Sequence, residues 1–479
     1  MQSRRDQVQA HRFTLERLSA GMLVSEPDAP ETPLSRTSRG ILIGTVLGGL
    51  AAAGFLIFGL IVPGGATAWK HDGTLVVEKE TGARFLYAGG ALRPVSNYTS
   101  VKLLQGDKLT VQSVSARSLQ GTPRGGPVGI AGAPDSLPDA TALLGDHAWQ
   151  VCSGRQQTVT GGTATRTALD VGAATTAPAL SRAQGLLVAG SGKTQYLLWN
   201  GLRFRLKSGR SGAQALGYGT VQPYPVGDAL LDAVPAGPDL AAPKVPNAGK
   251  AGPSLGGRKT KVGGLFVVHP AGGADRYYQL RKEGLAPITS MIADLMQADG
   301  AAAPVTLDPA TVTAHLAGAP AGSDGLPATT PRPATVGDAS ALCVRVTPRG
   351  TSPVTEVVVA PAGDAAAGAP VATGSGITRP CNPVDLIGVP PGHGTLAEAL
   401  PAAGYTGAPA TYLVTDEGVK YPVPSAEAVK NLGYGSVAPA KIPGSVLALL
   451  PAGPTLDPAV VASGTAVTPS FRPAAGCSK

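Results

Sequence analysis

Residues 40–62 read GILIGTVLGGLAAAGFLIFGLIV, an uncharged run of 23 residues in a chain of 479. As a helix this run extends roughly 34 Å, enough to cross the hydrocarbon core of a bilayer. No other stretch of the chain comes near that length, so the sequence reads as a single-span membrane protein. A cleaved signal peptide is the alternative, because Ala66-Thr67-Ala68 resembles a cleavage site. Signal cores are shorter, about 7–15 residues, and follow a short basic leader. Here 39 residues precede the run, which favours an uncleaved anchor. Its small residues Gly44, Gly48, Gly49, Ala52 and Ala53 either pack on another helix or face lipid.

Arg36 and Arg39 lie just before the run, with Arg4, Arg5, Arg12 and Arg17 further upstream. The positive-inside rule then puts the N-terminus in the cytosol and the bulk of the chain outside it, although Lys70 and His71 follow the span. All four cysteines (Cys152, Cys343, Cys381, Cys477) come after the span, on the side where disulfides persist. None forms a CxxC pair, so a metal or redox motif is not expected, and spacing does not choose among the three possible pairings. The formal net charge of +8 is spread thinly over a chain with 15% charged and 4% aromatic residues, so no nucleic-acid surface is expected. The 65 Gly and 44 Pro point to short elements joined by many turns.

Residues 3–24 read as a helix, capped by Ser3 with Asp6 at the third helical position. Leu15, Leu18 and Met22, with Phe13 and Val8 nearby, give it an apolar stripe. Such a helix lies on the membrane surface or docks on a partner protein, and the partner is the preferred reading. Residues 25–39 (SEPDAPETPLSRTSR) form a Pro-rich linker.

The region beyond the span repeats itself. QYLLWNGLRFRL, ALGYGTV and DAVPAGPDL in residues 195–240 recur in order as TYLVTDEGVKYPV, NLGYGSV and ALLPAGPTL in residues 411–456. Tyr196 matches Tyr412, Leu216-Gly217-Tyr218-Gly219 matches Leu432-Gly433-Tyr434-Gly435, and Pro235-Ala236-Gly237-Pro238 matches Pro451-Ala452-Gly453-Pro454. Weaker copies occupy residues 73–106 and 262–299. The shared unit is three short strands followed by a short helix, too small to bury a core alone. Between copies, residues 107–183 and 300–405 contain strand-like segments such as Trp149-Gln150-Val151-Cys152 and Leu342-Cys343-Val344-Arg345-Val346. They are expected to form two halves of one central β-rich domain. The fold class is therefore α+β and β-rich: one N-terminal transmembrane helix, then an elongated extracytoplasmic region with a central β domain and four small divergent β/α repeats.

With these features in place, the chain resembles the EccB family, the single-span membrane component of type VII secretion systems. The resemblance rests on Ser3-Arg4-Arg5-Asp6-Gln7-Val8-Gln9-Ala10-His11, the single span, the Arg-Phe/Tyr-Leu/Pro-Val repeats with Leu-Gly-Tyr, Trp149-x-Val-Cys152 and Val389-Pro390-Pro391-Gly392-x-Gly394. It implies four repeats around a central domain held by one disulfide, which maps onto Cys152 and Cys343. Closing so long a loop is worth roughly 5 kcal/mol at most. Cys381 and Cys477 fall outside that pattern and are a second bridge or free thiols, with Cys381–Cys477 the expected second pair. The resemblance also implies a membrane complex with EccC, EccD and EccE, in which EccC is the motor, and self-association outside the membrane. The repeats are similar to cell-wall-binding modules of phage lysins, which suggests peptidoglycan as a further partner.

Some members of the family are labelled ATPases, and one segment invites the comparison. Gly190-Ser191-Gly192-Lys193-Thr194 comes after the apolar Leu186-Leu187-Val188-Ala189, as in a loop whose backbone N–H groups and lysine hold ATP phosphates. The first glycine of GxxxxGK[ST] is Leu187 here, and a strand-like QYLLWNGLRFRL stands where a helix is needed. Gly190, Gly192, Lys193 and Thr194 are thus the nucleotide-site candidates, and an incomplete set. Gly252-Pro253-Ser254-Leu255-Gly256 fits GxSxG but sits in a Gly/Lys/Pro linker, without the strand and helix of a nucleophile elbow. Asp416-Glu417 reads as a hairpin turn, and His11, His71, His147, His269, His315 and His393 as surface or loop residues. Asn97-Tyr98-Thr99 is a glycosylation sequon. Tyr196, Trp199, Tyr277, Tyr278 and Tyr412 are read as core filling in preference to sugar-stacking rings. No catalytic residue, metal ligand or cofactor is expected.

The expected organisation is a cytosolic leader and linker (1–39), the span (40–62), a first repeat (63–106), the first central half (107–183) and a second repeat (184–249). Next come a linker with the third repeat (250–299), the second central half (300–405), a fourth repeat (406–461) and a tail (462–479). The function this supports is a structural subunit of a protein-export complex. The rivals are an ATP-hydrolysing subunit of the same system and a cell-wall-binding module.

Overall fold

The computed structural model describes residues 3–25, 33–61, 67–157, 161–172, 175–207, 209–317, 325–350, 352–374, 376–401 and 409–463. Cys477 and residues 26–32 of the Pro-rich linker lie outside these, while residues 33–39, expected as linker, are the first turns of a helix. The described chain falls into two compact units, residues 1–92 with 111–124, and the remainder from residue 93 onward.

The leader is the helix Arg4–Val24, and the Ser3 expectation holds. Ser3 Oγ accepts from the Asp6 N–H at 3.4 Å, and the Asp6 carboxylate accepts from the Ser3 N–H at 3.1 Å. This reciprocal pairing satisfies two donors that a helix start leaves orphaned. The apolar run lies in the helix Pro33–Ile61, whose Thr37–Phe58 segment is long and apolar enough to cross a membrane.

Four small sheets share a single plan. The first has strands Thr74–Glu78, Arg84–Ala88 and Ala91–Pro94, helix Tyr98–Gln105, strand Thr110–Val114 and helix Ala116–Leu119. The second has Gln184–Ala189, Gln195–Trp199 and Leu202–Arg205, helix Gly209–Ala215, strand Tyr224–Pro225 and helix Asp228–Ala233. The third has Leu265–Val268, Arg276–Arg281 and Gly284–Ile288, helix Ser290–Ala298, strand Val305–Thr306 and helix Pro309–Ala314. The fourth has Thr395–Leu400, Thr411–Val414 and Lys420–Val423, helix Ala426–Asn431, strand Ala440–Pro443 and helix Gly444–Leu447. In each, the strand after the first helix returns beside the first strand, giving the order third, second, first, fourth, and in the second sheet a fifth strand, Arg332–Ala334, also pairs with the first strand. In the second, third and fourth sheets this return strand is parallel to the first. A final segment then bridges the third strand: Leu92 with Arg124, Arg203 with Ala236, Leu285 with Leu316 and Lys420 with Ala452.

The plan corrects the expected repeat bounds. The fourth sheet opens at Thr395, ahead of residue 406, and the third continues past residue 299 to Val305–Thr306 and Leu316. The first strand TLAEAL of the fourth sheet carries Glu398, ion-paired to Lys441 at 3.4 Å, and so does not look like its counterpart QGLLVA. The return strands of the second and third sheets are two residues long, too short to show a period of two.

The repeated motifs have physical causes. Gly217 and Gly433 take φ of 76° and 95°, the left-handed conformation that ends a helix. The next residue's N–H turns back, Tyr218 to Ala213 O at 2.8 Å and Tyr434 to Val429 O at 3.0 Å. Each tyrosine hydroxyl is buried and donates to a distant proline carbonyl, Tyr218 to Pro331 at 2.8 Å and Tyr434 to Pro138 at 2.7 Å. In the Pro-Ala-Gly-Pro motif, Gly237 N–H donates to Arg203 O and Gly453 N–H to Lys420 O. A Cβ at Gly237 would overlap the Phe204 ring, and one at Gly453 the Tyr421 ring. Gly453→Ala is therefore expected to destabilise the protein by about 2 kcal/mol through overpacking, seen as a lower denaturant midpoint; an unchanged midpoint would show that the ring moves freely.

The central domain is a six-stranded sheet in the order Val354–Pro361, Ser340–Thr347, Trp149–Gln157, Thr163–Val171, Leu386–Gly388, Ala369–Pro370. Strands from both expected halves thus share one sheet. Trp149, Val151, Leu169, Leu342, Val344 and Val346 bury one face with apolar residues of the second and fourth sheets. Helices also pair across repeats: Gly209–Ala215 with Ser290–Ala298, and Tyr98–Gln105 with Ala426–Asn431, where Asn431 Nδ2 donates to Leu103 O at 2.7 Å.

Candidate functional site

The nucleotide candidates form a hairpin turn between strands Gln184–Ala189 and Gln195–Trp199. Gly190 N–H donates to Thr194 O at 3.2 Å and Lys193 N–H to Gly190 O at 3.0 Å, with Lys193 at φ 60°. Thr194 leads into a strand, so the helix N-terminus that would face phosphates is replaced by the hairpin's second arm. The neighbouring N–H of Ser191 already donates to Asp228 Oδ1 at 3.1 Å, and the Ser191 hydroxyl bonds the other oxygen of that carboxylate. An incoming phosphate would meet a carboxylate where a phosphate loop offers donors. The four residues are brought together, in a geometry that closes a hairpin.

The other candidates are also occupied internally. Ser254 Oγ donates to Arg258 O at 3.2 Å within a tight hairpin. Asp416 accepts from Gly392 N–H at 2.8 Å and so ties down the Val389–Gly394 loop. A Cβ at Gly394 would overlap the Val414 carbonyl, which accounts for the glycine there. His269 Nδ1 pairs with Asp275 at 2.7 Å, His315 Nδ1 donates to Thr311 O at 3.0 Å and His393 Nδ1 to Pro391 O at 2.9 Å. No group of three potential metal ligands occurs among the described residues. Asn97 is buried; its amide donates to Ile130 O at 2.7 Å and its carbonyl accepts from Ser100 N–H at 3.0 Å, so the sequon is enclosed.

The matched tyrosines carry cations from their own sheets. The Arg203 guanidinium lies 5.9 Å from the Tyr196 ring centre and the Lys420 ammonium 5.7 Å from that of Tyr412. Lys420 also donates to Leu447 O at 2.6 Å, and burial pushes its ammonium down to about 8. Both rings are half-buried and pack against the apolar cluster shared with the central sheet.

Cys152 and Cys343 face each other in register on adjacent strands and form a disulfide, with both residues fully buried. Cys381 is disulfide-bonded too, and its expected partner Cys477 lies outside the described residues. Sequence reasoning missed Asp170. This carboxyl is buried in the central sheet against Gly388, and burial first, then the Asp364 carboxylate, push it up to about 7. The only sign of it in the sequence is an acid inside the strand ALDV.

Residues 1–468 match the family described as "Type VII secretion system ESX-1, transport TM domain B". The chain belongs to the EccB family. Among its relatives, this EccB-family chain is 29% identical to the "ESX-3 secretion system ATPase EccB3" of Mycolicibacterium smegmatis, covering 95% of this chain and 89% of the relative. It is 27% identical to the "ESX-1 secretion system ATPase EccB1" of Mycobacterium tuberculosis, over 94% and 92%. Its fold is similar to an EccB3 dimer from the ESX-3 core complex, with TM-score 0.62 and 26% identity over 81% of this chain and 99% of that one. It is also similar to a chain of an intact ESX-5 inner membrane complex, with TM-score 0.60 and 23% identity over 99% and 97%. The family and the spanning helix make it a membrane protein.

Proposed function

We propose that this chain is a non-catalytic structural subunit of a type VII secretion membrane complex. It is held by the Thr37–Phe58 helix with its N-terminus in the cytosol, and it self-associates through its extracytoplasmic region. The observation that carries this reading is the match to the EccB family over residues 1–468. The solved ESX-3 relative is a dimer from a core complex, which supports self-association. Four repeats around a central sheet form the working division of the extracytoplasmic region, and the leader helix docks on a cytosolic partner such as EccC, EccD or EccE. Its large apolar residues Phe13, Leu15, Leu18 and Met22 are all more than half exposed, which supports a docking role. Peptidoglycan contact rests on the resemblance of the repeats alone.

The word ATPase in the relatives' names sets the decisive test. Purified full-length chain is expected to hydrolyse ATP at background rate, and Lys193→Ala to leave that rate unchanged. Hydrolysis that disappears in Lys193→Ala would establish the rival enzymatic reading.

A further inference from the structure

In each small sheet the third strand is shielded by its bridging segment, so the exposed edge belongs to the return strand, joined in the second sheet by Arg332–Ala334, which pairs with the same first strand and brings its own charge and proline to that edge. Three of those edges are blunted in ways that stop strands from pairing with neighbours. The second is the dipeptide Tyr224–Pro225, the third the dipeptide Val305–Thr306, and the fourth, Ala440–Pro443, carries Lys441 and ends in Pro443. The first sheet departs from the pattern. Its edge strand Thr110–Val114 reads TVQSV, five residues with neither charge nor proline. Val111, Gln112 and Ser113 are all exposed, and Val111, at 53%, is among the few large apolar side chains left open beyond the spanning helix. Such a strand is a ready template for another strand.

We propose that this edge pairs antiparallel with the same edge of a second copy, joining two first sheets into one continuous sheet. The occupant is a second copy for three reasons. The segment Val111-Gln112-Ser113 is uncharged, so its self-pairing about Gln112 places no like charges opposite each other. The first strand begins at Thr74, shortly after the spanning helix ends at Ile61. Copies anchored in one membrane therefore hold their first sheets at one height, where tethering raises the effective concentration. An EccB3 relative of 26% identity was solved as a dimer. The inference rests on the self-association proposed above and adds the surface that performs it.

The test uses the full chain in membranes and in detergent. In an antiparallel self-pair centred on Gln112, the two Cα atoms face each other at about 4.5–5.5 Å, within the reach of a disulfide. Gln112→Cys is expected to give a disulfide-linked dimer on non-reducing electrophoresis, while Thr81→Cys, exposed in a turn of the same sheet, is not. Gln112→Lys, which places like charges across the pair, is expected to lower the assembly mass at least two-fold at fixed concentration with an unchanged melting temperature. If the wild-type chain self-associates but Gln112→Cys fails to cross-link and Gln112→Lys keeps its mass, the edge is not the interface and self-association stands. If the wild-type chain is monomeric in membranes, self-association fails and the edge pairing with it.

Discussion

Replacing Cys152 and Cys343 together by alanine is expected to destabilise the region beyond the spanning helix by up to about 5 kcal/mol. The bond spans 191 residues of sequence, and that loop contains the second and third sheets entire. Without the bond, the unfolded chain regains the freedom of the whole loop, whereas the folded strands still lie side by side through their backbone ladder. The loss falls on the pairing of Trp149–Gln157 with Ser340–Thr347, the junction between the two halves of the central sheet. Denaturant titration of the double variant should show a midpoint far below that of the parent, and the parent under strong reductant should shift the same way. A midpoint within about 1 kcal/mol of the parent would mean that the ladder and the apolar face hold the halves without the bond.

The second large effect is a pH dependence set by Asp170. Its carboxyl titrates at about 7 in the folded protein, against the ordinary value of 3.8 for an aspartate in water. The folded state therefore holds a proton that the unfolded state has released between those values. Asp170 favours folding fully below pH 4, and its contribution is lost as pH rises from about 4 to about 7, by at most about 4 kcal/mol. Asp170→Asn keeps the shape without the titration and should flatten that part of the stability profile, making the variant more stable than the parent at pH 8. A parallel profile for parent and variant would show that the carboxyl is solvated or paired in the folded state.

Local features were legible in the sequence because their signals are local. The uncharged run of residues 40–62 and the Ser3/Asp6 cap lead directly to the helices Pro33–Ile61 and Arg4–Val24. The second and fourth repeats were legible as motifs, since in both Leu-Gly-Tyr ends a helix in the left-handed conformation and Pro-Ala-Gly-Pro lays a ring against bare backbone. Their purpose was not legible. That Tyr434 reaches Pro138 and Tyr218 reaches Pro331 depends on contacts between segments far apart in sequence, and no periodicity encodes them. The closing strands Tyr224–Pro225 and Val305–Thr306 are set by the first strands they pair with and not by their own composition. The phosphate-loop likeness of residues 190–194 failed for the complementary reason. A few residues can match a pattern, but a phosphate finds a place to sit only if a helix succeeds them and their N–H groups are free. Here a strand succeeds them, and the Ser191 N–H already donates to Asp228.

The claim on which all else depends is that this chain is a structural member of a secretion membrane complex. Affinity purification of the tagged full-length protein from gently solubilised membranes, with mass spectrometry of the eluate, tests it directly. Other type VII membrane components are expected to co-elute with it in reproducible ratio. Recovery of the chain alone, from membranes in which those components are present, would contradict it.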